Sequence, residues 1–141
     1  MTATGTSPCL CSALRKATRA VTRIYDDALR PAGLRVTQFS LLRQLARRGA
    51  LRMRDLSAAV VIEETALNRS VRALHGHGWI AIKTGADRRE RMLSITAAGR
   101  ALLAEAEPLW QAAQQRMNDQ LGGTWDPLLR SLHEVTESAA P

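Results

Sequence analysis

The segment Thr65-Ala66-Leu67-Asn68-Arg69-Ser70-Val71-Arg72-Ala73-Leu74, followed five residues later by Trp79-Ile80-Ala81-Ile82-Lys83 and then by Arg91-Met92-Leu93-Ser94-Ile95, decides the fold. The first part has helical period. At 100° per residue, Leu67, Val71 and Leu74 share an arc of about 60° and face a core. Thr65, Asn68, Arg69 and Arg72 share another arc of about 100°, centred roughly 140° away. The two later runs alternate with period two and read as strands. Between them lies Thr84-Gly85-Ala86-Asp87-Arg88-Arg89-Glu90, polar and containing a glycine, which suits a hairpin loop. A polar-ridged helix followed by a two-stranded ribbon is the reading half of a winged helix-turn-helix.

Working outward, the rest of the chain reads as helix. A seam of Leu10, Leu14, Ala17, Val21, Ile24 and Ala28 alternates steps of four and three, and Pro31 and Gly33 end it. Thr37 is the expected cap of a second helix that buries Phe39, Leu41, Leu42 and Leu45 and stops near Gly49. A short helix over about 53–60 turns inward Leu56, Ala59 and Val60, and the ridge-bearing helix follows over about 64–75. After the ribbon, Thr96 caps a long helix with the seam Leu102, Ala106, Leu109, Ala113 and Met117. Pro108 is expected to kink or split it near Glu105. Gly122-Gly123 breaks the pattern, Thr124 caps again, and Leu128, Leu129, Leu132 and Val135 form a last stripe. The expected architecture is mostly α with a small β-hairpin wing. Residues 1–141 form one domain, with the winged helix-turn-helix region over 34–96 lying between helices over 9–33 and 97–138.

Charge points to the partner. The chain carries 20 Lys+Arg against 13 Asp+Glu, a net charge of +7, and 18 of the cations are arginine. Residues 1–34 hold 5 cations and 2 anions, residues 35–100 hold 13 and 5, and residues 101–141 hold 2 and 6, so the basic character is concentrated in the middle of the chain. Such a patch is the footprint of a polyanion binder. Arginine's planar fork matches phosphate and guanine edges, an amide matches adenine, and a hydroxyl serves either role. Thr65, Asn68, Arg69 and Arg72 are therefore the candidate base readers. Arg88 and Arg89 at the ribbon tip suit the narrow minor groove, with the Asp87 carboxylate expected to hold an arginine side chain in place. The expected partners are double-stranded DNA, a second copy of the chain and a small-molecule effector.

Together these features resemble the MarR (multiple antibiotic resistance regulator) family. The resemblance runs from about Cys9 to Val135. It is carried by Leu34-Arg35-Val36-Thr37-Gln38-Phe39, Leu56-Ser57-Ala58-Ala59 and the helix from Thr65 to Leu74, then by Gly78-Trp79-Ile80, Asp87-Arg88-Arg89 and Leu93-Ser94-Ile95-Thr96-Ala97-Ala98-Gly99. It implies a homodimer built from the terminal helices, repressing from a pseudo-palindromic operator and released by a small ligand or oxidant. Two features depart from the pattern. Glu63 and Glu64 open the reading helix, where anions repel phosphate yet suit the helix dipole. Asn68 stands where many relatives place a hydroxyl.

The main expectation for the effector is an aromatic or amphipathic ligand bound between the dimer helices and the winged region. A second reading rests on Cys9 and Cys11, the chain's two cysteines. Cys11 and Tyr25 resemble the sensing cysteine and one of the partner tyrosines of the organic-hydroperoxide branch, but Arg15 and Val36 replace its other tyrosines. Arg15, one turn from Cys11, favours a thiolate. A thiophilic metal or metalloid on Cys9/Cys11 is a further alternative, although two thiolates are too few to close a tetrahedral site.

Other classes fit less well. The three histidines lack partners at triad-like spacing, Glu63 and Glu64 point 100° apart, and there is no glycine-rich phosphate loop, so neither enzyme activity nor a cofactor or resident metal is expected. A protein-interaction module that does not bind DNA would not require the basic middle. The longest apolar run, Ala58 to Ile62, is five residues, far below the ~20 of a membrane span, so no membrane partner is expected. The segment from Met1 to Pro8 lacks an export-signal pattern, so a cytoplasmic location with free thiols is expected.

Overall fold

The computed structural model describes residues 7–140. Most of the segment read above as unlike an export signal lies outside them. Six α-helices and three short strands follow in the order α1 (Leu10–Leu29), α2 (Val36–Arg48), β1 (Leu51–Arg52), α3 (Met53–Val60), α4 (Glu64–Gly76), β2 (Ile80–Thr84), β3 (Arg91–Ile95), α5 (Ala97–Leu121) and α6 (Trp125–Ala139). Helix α3, the turn, α4 and the β2–β3 hairpin are the expected winged helix-turn-helix. Among the described residues no helix is long and apolar enough to cross a membrane.

One core serves the winged region and the helices beside it. Phe39, Leu42 and Leu45 of α2, Leu56 of α3, Leu67, Val71 and Leu74 of α4, and Leu93 of β3 are all buried. Ala106 of α5 and Leu29 at the end of α1 close the same cluster. The Phe39 and Trp110 rings stack at 5.6 Å between α2 and α5, and the Arg43 guanidinium lies 4.1 Å above the Trp110 ring. These contacts combine dispersion with cation–π attraction.

Four local expectations are corrected. The wing sheet has three strands in the order β1-β3-β2, because Leu51 and Arg52 pair antiparallel with Leu93 and Met92. Two residues are too few for an alternation to register, and their partner is about forty positions away. The α2 cap is not Thr37: Arg35 is the N-cap residue, its N–H donates to Gln38 Oε1 at 3.0 Å, and the Val36 N–H donates to Asp26 Oδ1 at 2.8 Å. The orphan donors of this helix end are thus met partly from α1. Helix α5 runs unbroken through Pro108. The carbonyl that Pro108 leaves unpaired is that of Ala104, and both residues are exposed, so water can satisfy it while Ala106 and Ala113 anchor the helix on either side. Thr124 makes no cap, since its hydroxyl donates backwards to the Leu121 carbonyl at 2.8 Å.

Thr96 does cap α5, accepting from the Gly99 N–H at 3.1 Å while its own hydroxyl donates to the Gly78 carbonyl at 2.7 Å. The terminal helices leave apolar surface uncovered in the single chain. Leu10, Val21, Leu128, Leu129 and Leu132 are exposed, and no residue of α6 is buried.

Candidate nucleic-acid interface

Helix α4 holds the ridge through its opposite face. Leu67, Val71 and Leu74 are each 0–1% exposed, which fixes the rotation of the helix about its axis. Thr65, Arg69 and Arg72 are consequently exposed and Asn68 half-buried. At its N-terminal end, Val61 adopts a left-handed conformation (φ 56°, ψ 47°) and the Ser57 hydroxyl donates to the Ile62 carbonyl, closing the turn between α3 and α4. Glu63 occupies the N-cap without a side-chain cap hydrogen bond, and Glu64 lies in the first turn, where a carboxylate complements the helix dipole.

A cleft of about 550 Å³ separates α4 from the wing. Glu64, Thr65 and Asn68 form one wall, Asp87, Arg89, Glu90 and Arg91 the other, and Arg52, Met53 and Arg54 the end. Of the residues expected to contact DNA, Thr65, Asn68 and Arg89 share this cleft with Asp87. Arg69 and Arg72 continue the α4 ridge outside it, and Arg88 stands exposed at the wing tip.

Asp87 contacts the backbone of the wing. Its Oδ1 accepts from the backbone N–H of Arg89 at 3.0 Å, and its carboxylate makes no ion pair with either wing arginine. That bond shapes the loop. Two backbone bonds complete the turn, Glu90 N–H to the Asp87 carbonyl at 2.9 Å and Gly85 N–H to the Glu90 carbonyl at 2.7 Å.

Several residues that the sequence reading passed over belong to the site. Arg52 donates to Asp55 at 2.8 Å and to Glu90 at 3.3 Å, and Arg54 lies 3.8 Å from the same Glu90 oxygen. The Arg52 guanidinium hydrogen-bonded to Asp55 holds that carboxyl below its ordinary range. Arg91 donates through a guanidinium nitrogen to Asn68 Oδ1 at 3.1 Å, joining β3 to α4. Arg52–Asp55 is a local pair three positions apart, whereas Arg52–Glu90 and Arg91–Asn68 span 38 and 23 positions, which no local motif links.

The sensor residues are not assembled within one chain. Cys9 and Cys11 are free and exposed. Tyr25 is 8% exposed, and its hydroxyl donates to Gln114 of α5 rather than to a thiol. Fourteen residues separate Tyr25 from Cys11 on one helix, a rise of about 21 Å. Burial pushes the Tyr25 hydroxyl up in pKa. Cys9, at the N-cap of α1, is held below the ordinary thiol value, chiefly by the Ser12 hydroxyl and then by the Ser12 amide. Arg15 is exposed. No cluster of three or more metal-ligating side chains occurs among the described residues. A second cleft, of about 540 Å³, lies at the α1–α2 junction and is lined by Asp26, Arg30, Gly33, Leu34, Arg35 and Gln38. It sits between the N-terminal helix and the winged region, where the effector pocket was expected, but its lining is mainly polar.

Comparison with known proteins bears on the same region. The family model described as MarR family matches residues 34–90. The M. tuberculosis transcriptional regulator MosR, crystallised in complex with DNA, is 34% identical, with 93% of this chain and 96% of that one aligned at a TM-score of 0.87. The transcriptional repressor CouR bound to a 23-mer DNA duplex is 27% identical, covering 96% and 98% of the two chains at a TM-score of 0.83. An uncharacterized HTH-type transcriptional regulator of Bacillus subtilis (strain 168), YwoH, is 24% identical over 83 residues, a match that spans 61% of that relative's length. Similarity to MosR along nearly the whole of both chains, with the family pattern lying over α2, the helix-turn-helix and the first strand and loop of the wing, means that this chain belongs to the MarR family of winged helix-turn-helix transcription regulators.

Proposed function

We propose that the protein is a homodimeric DNA-binding regulator that represses from a pseudo-palindromic operator and is released by a small effector. The carrying observation is the cleft that brings Thr65, Asn68 and Arg89 together beside the exposed Arg69 and Arg72. Helix α4 has the donors and acceptors to read a major groove, and the wing reaches the flanking minor groove. Two copies joined through the uncovered faces of α1 and α6 would place their reading helices on half-sites one turn of DNA apart, about 34–36 Å. Titration of random-sequence duplexes at several salt concentrations tests this reading. Affinity should fall linearly with salt on logarithmic axes, with a slope of about −0.9 per phosphate neutralised. Salt-independent binding, or none, would favour a protein-interaction module.

For the effector, the α1–α2 cleft supports a small aromatic or amphipathic anion. Its size is within the usual ligand range of ~300–1,000 Å³, and Arg30 and Arg35 offer guanidinium groups to a carboxylate. A ligand wedged there would act on the junction that Asp26 makes with the start of α2. Thiol sensing is the second reading, favoured by the exposed Cys9 with its lowered pKa. Organic hydroperoxide should then release the wild type from DNA but not Cys9→Ser or Cys11→Ser. Equal release of all three assigns sensing to a ligand pocket.

A further inference from the structure

The contact between Arg91 and Asn68 changes what Asn68 can read. A guanidinium has only donors, so the carboxamide atom facing Arg91 must be the oxygen, and the NH₂ group is left wholly free while the oxygen keeps one lone pair. An asparagine that pairs with adenine uses both ends of its amide, accepting from N6 and donating to N7. Here one of the oxygen's two lone pairs is engaged by a cation, which disfavours an amino group approaching beside it. Arg91 is exposed and keeps four further N–H donors, and it shares the cleft with Asn68 and Thr65. The two side chains together present a donor-rich surface to whatever enters.

We propose that Asn68 and Arg91 act as one donor unit that selects guanine, with Arg91 the positioning residue that sets the Asn68 amide. Among the four bases, guanine alone offers two major-groove acceptors, N7 and O6. Adenine and cytosine turn an amino group toward the same donors, and thymine offers one acceptor beside a methyl group. The proposal rests on the DNA-binding reading of α4 and deepens it.

Selection from a random-sequence duplex pool with wild type, Arg91→Met, Arg91→Lys and Asn68→Ala tests the assignment. Wild type should fix guanine at one position of each half-site. Arg91→Met frees the amide, and the guanine-over-adenine preference at that position should drop about tenfold while the rest of the motif persists. Asn68→Ala should lose selection at the same position. Arg91→Lys, which keeps a donor facing the oxygen, should retain guanine. If Arg91→Met selects the wild-type motif with uniformly weaker binding, Arg91 touches phosphate only and the proposal fails. It fails equally if the wild type selects adenine there. Should wild type bind no duplex, the DNA reading falls, and this inference with it.

Discussion

Gly99 lies so close to the Trp79 carbonyl oxygen that a side chain at this position would overlap it, and the same Cβ would meet Ile95 Cγ1 at 2.8 Å. The first turn of α5 thereby sits directly on the segment that leads into β2, with Thr96 N–H donating to the Trp79 carbonyl at 3.0 Å. Gly99→Ala should destabilise the protein by about 1–3 kcal/mol despite alanine's better helix propensity, because the backbone must shift. Gly76, whose Cβ would enter open space, is the control. Gly76→Ala should be neutral or slightly stabilising, and urea midpoints of the two variants measure the contrast.

The wing separates two roles that sequence reasoning had joined. Arg89→Ala should weaken duplex binding by ~1–3 kcal/mol if the guanidinium enters the minor groove. Asp87→Asn keeps an oxygen that accepts from the Arg89 N–H, and so should bind DNA nearly as the wild type does. A loss as large as that of Arg89→Ala would mean that the carboxylate charge itself positions the arginine.

Much of this architecture was legible because its signals are local. The apolar faces of α2 and α4, the alternation of β2 and β3 and the Thr96 cap each lie within one stretch of chain. What escaped depends on residues far apart. The Leu51–Arg52 strand exists only through β3, Asp26 caps α2 from another helix, and Arg52–Glu90 and Arg91–Asn68 join elements 38 and 23 positions apart. Asp87 was legible at the wing tip, but its bond to the Arg89 N–H was not, since an acidic residue beside two arginines suggests an ion pair more readily than a turn-capping bond.

Cys9 and Ser12 make a prediction about pH. The thiolate is the reacting form, and the Ser12 hydroxyl and amide favour it, so alkylation of Cys9 should titrate with a midpoint below 9.0. Ser12→Ala should raise that midpoint and slow the reaction at neutral pH. Residue-resolved mass spectrometry of iodoacetamide-treated protein distinguishes Cys9 from Cys11. An unchanged Cys9 profile in Ser12→Ala would remove the hydroxyl as the cause.

The uncovered stripe of α6 should behave as an interface. At micromolar concentration, sedimentation should give about twice the 15.4 kDa chain mass. Leu132→Glu places a charge on that stripe, and should shift the protein toward monomer while leaving the winged region folded by circular dichroism. A wild-type monomer that still binds an operator tightly would sink the dimer.

The pairing of β1 with β3, the Arg52–Glu90 bridge and the Arg91–Asn68 bond moor the wing to both α3 and α4. These attachments reach the loop end of the ribbon, through Glu90 and Arg91, and tie it to the helix-turn-helix. On the proposed DNA-binding reading, each half-site would be gripped by one joined unit, and an effector that tilted α4 would lift the wing arginines with it. Release from one half-site would then be a single event, the minor-groove grip going with the major-groove one.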